Sequence, residues 1–217
     1  IIAIEFIPPH PEQAPATPLA AEAVRQLRAW LADPAFTFGL PWGNFWLKIG
    51  ISVIVICLYS LRWQKPELSF RLPSVLTGMA SAAVLYGIFF LGNALAPYIV
   101  PGAQGQVGGI YALGSGTERI LIFLLLFFVT GPGEEIFWRG FLQERLMDRF
   151  GTVRGFLAAT LIYGGVHIFS LNLMLVMAAF VAGAFWGGLY LWRRDLPLVI
   201  VSHSFWSAFI FAVFPIR

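Results

Sequence analysis

The 217-residue chain has few charges. Lys, Arg, Asp and Glu make up 12% of it, about half the ~25% of an average soluble domain. With hydrophobic residues at 59% and a mean hydropathy of +0.78, it is excluded from the soluble globular class and reads as a one-domain integral membrane protein. Cysteine is almost absent. Cys57 stands alone in an apolar run, which excludes an intrachain disulfide and a zinc-type cysteine pair. There is no phosphate-cradling Gly-Lys-Ser loop and no Gly-x-Ser-x-Gly nucleophile turn. The net charge of +3 belongs to short loops rather than to a face for nucleic acid. Because it starts at Ile1 rather than Met, the chain is expected to lack some native N-terminal sequence.

What is there is mostly apolar spans. Residues 1–44 form a polar, Pro-rich segment, in which Pro18–Leu31 fits either an interfacial or an ordinary surface helix. Residues 45–217 are the membrane core. We read six spans: Phe45–Leu61, Pro73–Val100, a third from Glu118-Arg119 to about Phe141, then Gly155–Phe169, Leu171–Trp192 and Leu196–Phe214. The third passes through a break at Pro132 and continues as helix to Phe150. The fold class is therefore all-α, a polytopic transmembrane helical bundle. The fourth span is short of the ~20 residues a crossing needs, so its helix is expected to end inside the protein. Residues 101–117 read as a Gly-rich, uncharged loop. Trp42, Trp46, Trp63 and Trp192 fit interfacial anchors, and Trp138, Trp186 and Trp206 fit core packing or the lining of an apolar groove. Lys and Arg concentrate in loops 62–71, 145–154 and 193–194. By the positive-inside rule these three are cytoplasmic and both visible ends lie outside.

Three charges interrupt the third span within Thr130-Gly131-Pro132-Gly133-Glu134-Glu135-Ile136-Phe137-Trp138-Arg139-Gly140. A charge at mid-bilayer costs at least ~2.5–3.5 kcal/mol and marks a candidate functional site. Adjacent Glu134 and Glu135 point ~100° apart on a helix. Arg139 follows Glu135 at the favourable i,i+4 spacing. This assigns Glu135–Arg139 as a structural pair and leaves Glu134 for chemistry; the competing use of both acids is to staple helices through Arg139 and Arg145. A break at Pro132 would also start a new helical segment, whose free N–H groups favour a carboxylate nearby. His10 lies in the Pro-rich tail. His167 and His203 lie on two further spans. At ~1.5 Å per residue, Glu134 lies roughly 10–15 Å, His203 roughly 9–10 Å and His167 roughly 18 Å from the basic-loop ends of their helices. That depth band suits one cavity among spans three, four and six, open to the cytoplasm. Ser207, one turn after His203, has two uses: donation to an oxyanion or a bond back to the His203 carbonyl. A carboxylate with two imidazoles suits attack by water, with Glu134 as base. The same three side chains could also hold zinc, but the H-E-x-x-H spacing is absent, and no cofactor is expected.

The pattern Glu134-Glu135-x-x-x-Arg139, an aromatic Tyr163 four residues before His167, and His203-x-x-x-Ser207 resembles the CPBP family of intramembrane proteases, which includes the type II CAAX prenyl endopeptidases. The resemblance covers about residues 115–217. It implies a glutamate-dependent membrane peptidase of a bacterial or archaeal plasma membrane, acting on a membrane protein or lipidated peptide. Glu134 would be the catalytic glutamate, with His167 and His203 its water- and intermediate-binding partners and Glu135 and Arg139 in support. Two positions depart from the family pattern: Tyr163 stands where Phe is usual, and Ser207 where Asn or Asp is usual. A catalytically inactive scaffold or bacteriocin-immunity protein of the same fold is the second expectation, and a proton-coupled carrier the third. Carriers commonly pair broken helices across two similar halves, and no such repeat is visible.

Overall fold

The structure, a computed structural model, describes residues 45–216. The helix expected at Pro18–Leu31, the turn at 41–43, Trp42 and His10 lie outside the described residues. All regular structure among the described residues is helical. Six helices are long and apolar enough to cross a membrane: α1 (Phe45–Trp63), α2 (Leu72–Ile99), α4 (Arg119–Phe150), α5 (Thr152–Ser170), α6 (Leu173–Arg193) and α7 (Leu196–Val213). Between α2 and α4 lies the short helix α3 (Ala103–Ala112).

Helix α7 is the centre of the bundle. Pro197 occupies its first turn, where a missing N–H is harmless. Asp195 caps it, accepting from the Leu198 amide (3.1 Å) and from Ser74 Oγ of α2 (2.6 Å). Small residues on its neighbours allow close approach, as membrane packing requires. A Cβ on Gly78 of α2 would meet the Leu198 carbonyl and the Val201 side chain, and one on Gly131 of α4 would meet Ser204. Gly155 of α5 lies against the Met147 backbone, Gly164 against Phe180, and Gly183 of α6 against Tyr163. Gly187 has Phe156 and Gln143 beside it, whereas Gly188 faces open space.

Four expectations are corrected. Helix α4 does not break at Pro132 but runs continuously for 32 residues, about 48 Å. A π-helical turn, Leu126–Thr130, precedes the proline, and the Gly131 amide bonds the Leu126 carbonyl across it. The wider turn accommodates a residue that cannot donate, so no free helix N-terminus forms beside Glu134. A second π-helical turn, Trp138–Gln143, follows. Helix α5 reaches 19 residues because it starts at Thr152, ahead of the expected Gly155, and carries on through a 3₁₀ turn at Val166–Ser170, so the fourth span is not short.

The supposed loop 101–117 contains α3. Its glycines weaken it locally, and contacts from elsewhere hold it. The Gln106 carbonyl accepts from Asn172 Nδ2 (2.9 Å), Gln106 Oε1 from the Met174 amide (3.2 Å), and the Tyr111 hydroxyl from the Ile216 amide (3.1 Å). Trp46 is not an interfacial anchor. It is buried, and its indole donates to the Leu113 carbonyl (3.0 Å). Trp63 and Trp192 are exposed as anchors would be.

Candidate active site

The two adjacent glutamates have different surroundings. Glu135 is fully buried. Its Oε1 accepts from Arg139 Nη1 (2.8 Å), as the i,i+4 spacing predicts, and also from His203 Nδ1 (2.6 Å) across the bundle. Arg139 is enclosed as well. Nη2 donates to the Gly183 carbonyl (3.3 Å), and the guanidinium lies over the rings of Tyr163 (4.7 Å) and Trp186 (5.7 Å). A buried charge without a partner would be strongly destabilising; here Glu135 Oε1 holds both Arg139 and His203 and two rings flank the guanidinium, while Glu135 Oε2 is left buried without a partner. Trp186 stacks on the His203 imidazole at 3.8 Å and 17°, and its indole donates to Ser202 Oγ (3.2 Å). His203 is thus clamped in plane, with Nδ1 committed to Glu135 and Nε2 left as its second polar atom. A carboxylate behind an imidazole fixes tautomer and orientation.

Glu134 is half-buried and outside that cluster. Its Oε2 accepts from the Tyr163 hydroxyl at 3.4 Å, a contact that exists because Tyr stands at 163. The backbone carbonyl of Tyr163 accepts from His167 Nδ1 (2.8 Å), so His167 also keeps Nε2 free. One residue on α5 therefore touches both Glu134 and His167. Trp138 packs edge-on against the same ring (5.1 Å) and is buried.

Glu134, Tyr163, His167, His203, Trp206 and Ser207 all line one cavity of about 520 Å³. The structure thus brings Glu134, His167 and His203 to a common void, with Glu135 and Arg139 behind its wall. Ser207 takes the second of its two possible uses, donating to the His203 carbonyl (2.9 Å). Asn93 of α2 and Thr130 of α4 also line the void and were missed. The signal for Asn93 was available, since it is the one carboxamide on α2.

The lining comes from the end of the bundle that carries α3 and the 170–172 connection, and no residue of loops 62–71, 145–154 or 193–194 contributes. At the basic-loop end, Gly155 packs on Met147, Gly140 on Leu196, and Glu144 Oε1 accepts from both Tyr190 (2.6 Å) and Arg194 (2.7 Å). Among the described residues, no group of three or more His, Cys, Asp or Glu is disposed to hold a metal ion.

An all-helical bundle of six helices long and apolar enough to cross a membrane, with an acid and two imidazoles on an internal void, defines the class: an integral membrane protein. Residues 116–209 match the family model described as type II CAAX prenyl endopeptidase Rce1-like, in agreement with the CPBP resemblance of the Glu134, His167 and His203 motifs. This stretch is thus similar to a family of proteases. No curated protein and no solved structure matches the chain.

Proposed function

We propose that the protein is an intramembrane endopeptidase that hydrolyses a peptide bond of a membrane-associated protein or lipidated peptide with water activated by Glu134. The observation that carries this reading is the meeting of Glu134, His167 and His203 on one cavity, with both imidazoles tethered through Nδ1. Tethering presents two Nε2 atoms to a water beside a carboxylate. The carboxylate takes a proton from that water as its oxygen attacks the scissile carbonyl carbon, and the carbonyl electrons move to oxygen. An imidazole that enters the reaction protonated on both nitrogens donates from Nε2 to the oxyanion and keeps that proton throughout. Collapse of the intermediate breaks the C–N bond, and Glu134 returns its proton to the leaving nitrogen. Water leaves as part of the two products, a carboxylate and an amine. No cofactor enters these steps.

Glu135 and Arg139 act through His203 and are positioning residues in this scheme. Tyr163 holds the Glu134 carboxylate. The loops 62–71, 145–154 and 193–194 are proposed to face the cytoplasm. The test is cleavage of a membrane-anchored reporter peptide by Glu134→Ala protein; undiminished cleavage would refute the assignment. A non-catalytic scaffold is the second reading, favoured by one observation: Ser207 is tied back to its own helix and offers no donor to the cavity. That reading expects Glu134→Ala to leave the cellular phenotype intact, while Gly183→Leu, which would drive a side chain into Tyr163, abolishes it.

A further inference from the structure

Asn93 has an unusual position for an amide. It lies in the apolar run Leu91-Gly92-Asn93-Ala94-Leu95 of a membrane-crossing helix, it lines the cavity, and its Oδ1 is buried without a partner. A polar side chain at membrane depth that no neighbour satisfies is destabilising, and it marks a place where something else completes it. Trp206 offers the complementary group. It lines the same cavity, and its indole Nε1 is a buried donor without a partner.

The two belong to one patch. Phe89, one turn before Asn93 and on the same face of α2, packs on Trp206 at 4.7 Å. Trp206 in turn meets Trp186 at 5.3 Å, and Trp186 stacks on His203. A carboxamide acceptor and an indole donor therefore sit within a short ladder of rings that ends at the imidazole. The wall around them is apolar: Ile88, Leu95 and Ile210 line it nearby.

We propose that Asn93 and Trp206 form a subsite that pairs with the backbone of the bound polypeptide. Both polar atoms are enclosed by their neighbours, so each side chain turns toward the void as the peptide enters; the Asn93 amide then meets a peptide N–H and C=O and the Trp206 indole a second carbonyl, while apolar substrate side chains fill the remaining wall. This rests on the cavity being the substrate site. The ligand class is an extended, apolar peptide segment recognised through its main chain. A carboxamide carries a donor and an acceptor side by side, as a peptide group does, and an unsatisfied pair inside an apolar wall discriminates against any ligand that lacks those groups. Asn93 lies outside the Rce1-like match at 116–209, so this assigns a substrate contact to the part of the chain that carries no motif.

The test uses the full chain in dodecylmaltoside micelles, with Glu134→Gln in every preparation to suppress cleavage. The probe is a fluorescently labelled, capped heptapeptide of Leu and Ala. A companion series replaces each amide in turn by an ester, which removes one N–H without changing shape. Binding is read by anisotropy. Asn93→Leu is expected to weaken the parent peptide about tenfold. With Asn93 present, one ester analogue binds several-fold more weakly than the parent; with Asn93→Leu, all analogues bind alike. Asn93→Gln recovers part of the loss. Asn93→Leu keeps or raises the melting temperature, because it removes a dissatisfied amide, and so excludes misfolding as the cause. Equal binding to both backgrounds, an ester penalty that survives Asn93→Leu, or no binding to the Asn93 background overturns the proposal. Hydrolysis persisting in the Glu134→Gln protein would instead sink the catalytic assignment and leave the amide–ester contrast readable.

Discussion

Helices α2 and α7 share a mean hydropathy of 1.8, yet 17% of the apolar window of α2 is buried against 67% for α7. In water such a difference would show in composition. In a bilayer it does not, because lipid tails are as apolar as the side chains they replace. What separates the two is the placement of small and polar groups. Helix α7 buries Ser202, His203, Ser204 and Ser207: Ser202 accepts from Trp186, His203 pairs with Glu135, Ser204 lies against Gly131, and Ser207 bonds back to its own helix. Helix α2 exposes Leu76, Val84, Leu91 and Leu95 along its length and buries Ser74, Gly78 and Ala82 along the seam with α7. A central membrane helix is thus recognised by what it can satisfy rather than by how apolar it is.

The sharpest way to break this contrast is at the chemistry. Glu134→Gln keeps shape and removes the proposed base. It is expected to lower kcat on a cleaved membrane peptide by about 10²–10⁴ without shifting thermal stability, and a rate within a few-fold of the parent would place the reaction elsewhere. Next is Arg139→Leu, which leaves the Glu135 carboxylate buried beside one imidazole. A loss of about 3–5 kcal/mol is expected, read as a large drop in melting temperature in micelles. If stability is unchanged, the acid–base–ring cluster is not what holds α4, α6 and α7 together.

Smaller effects test the helix comparison itself. Leu198 of α7 is fully buried and Leu91 of α2 is 63% exposed. Leu198→Ala is expected to cost about 2 kcal/mol, chiefly the cavity part of the usual penalty, and Leu91→Ala less than about 0.5 kcal/mol. Equal losses would mean that α2 is covered in the working protein. The mildest change is Tyr163→Phe, which removes the hydroxyl from Glu134 and leaves the ring on Arg139. It is expected to lower kcat roughly three- to tenfold, the worth of one hydrogen bond to a charged group discounted for its 3.4 Å length, with KM unchanged. A rise in KM alone would assign the hydroxyl to substrate binding.

How much of this was legible in the sequence follows from how far apart the partners are. The Glu135–Arg139 pair is one helical turn, so spacing alone predicted it. The six spans follow from runs of apolar residues, and α1, α2 and α6 match their expected limits within two residues. The meeting of Glu134, His167 and His203 was foreseen from depth, since each lies part-way along a span. The bond from His203 to Glu135 was not, because it joins residues 68 apart and depth says nothing about azimuth. Tyr163 was visible as an added hydroxyl, but its direction toward Glu134 depends on how α5 packs over Gly183. Helix α3 was hidden for the opposite reason. Its sequence, AQGQVGGIYA, argues against a helix locally, and bonds through Gln106 and Tyr111 override it. Pro132 misled because the rule that proline breaks a helix assumes α-helical turns on both sides.

The two π-helical turns of α4 carry a consequence for its geometry. Each holds one residue more than the α turn it replaces, and each residue advances the side-chain direction by ~100°. The extra residue is taken up inside the wide turn, so the seven residues Gly131–Phe137 between them keep the facing that an unbroken α-helix would give them. Excising a single residue from Leu126–Thr130 would restore an α turn with Glu134 still toward the void, and would remove the slack that lets Pro132 sit in a continuous helix.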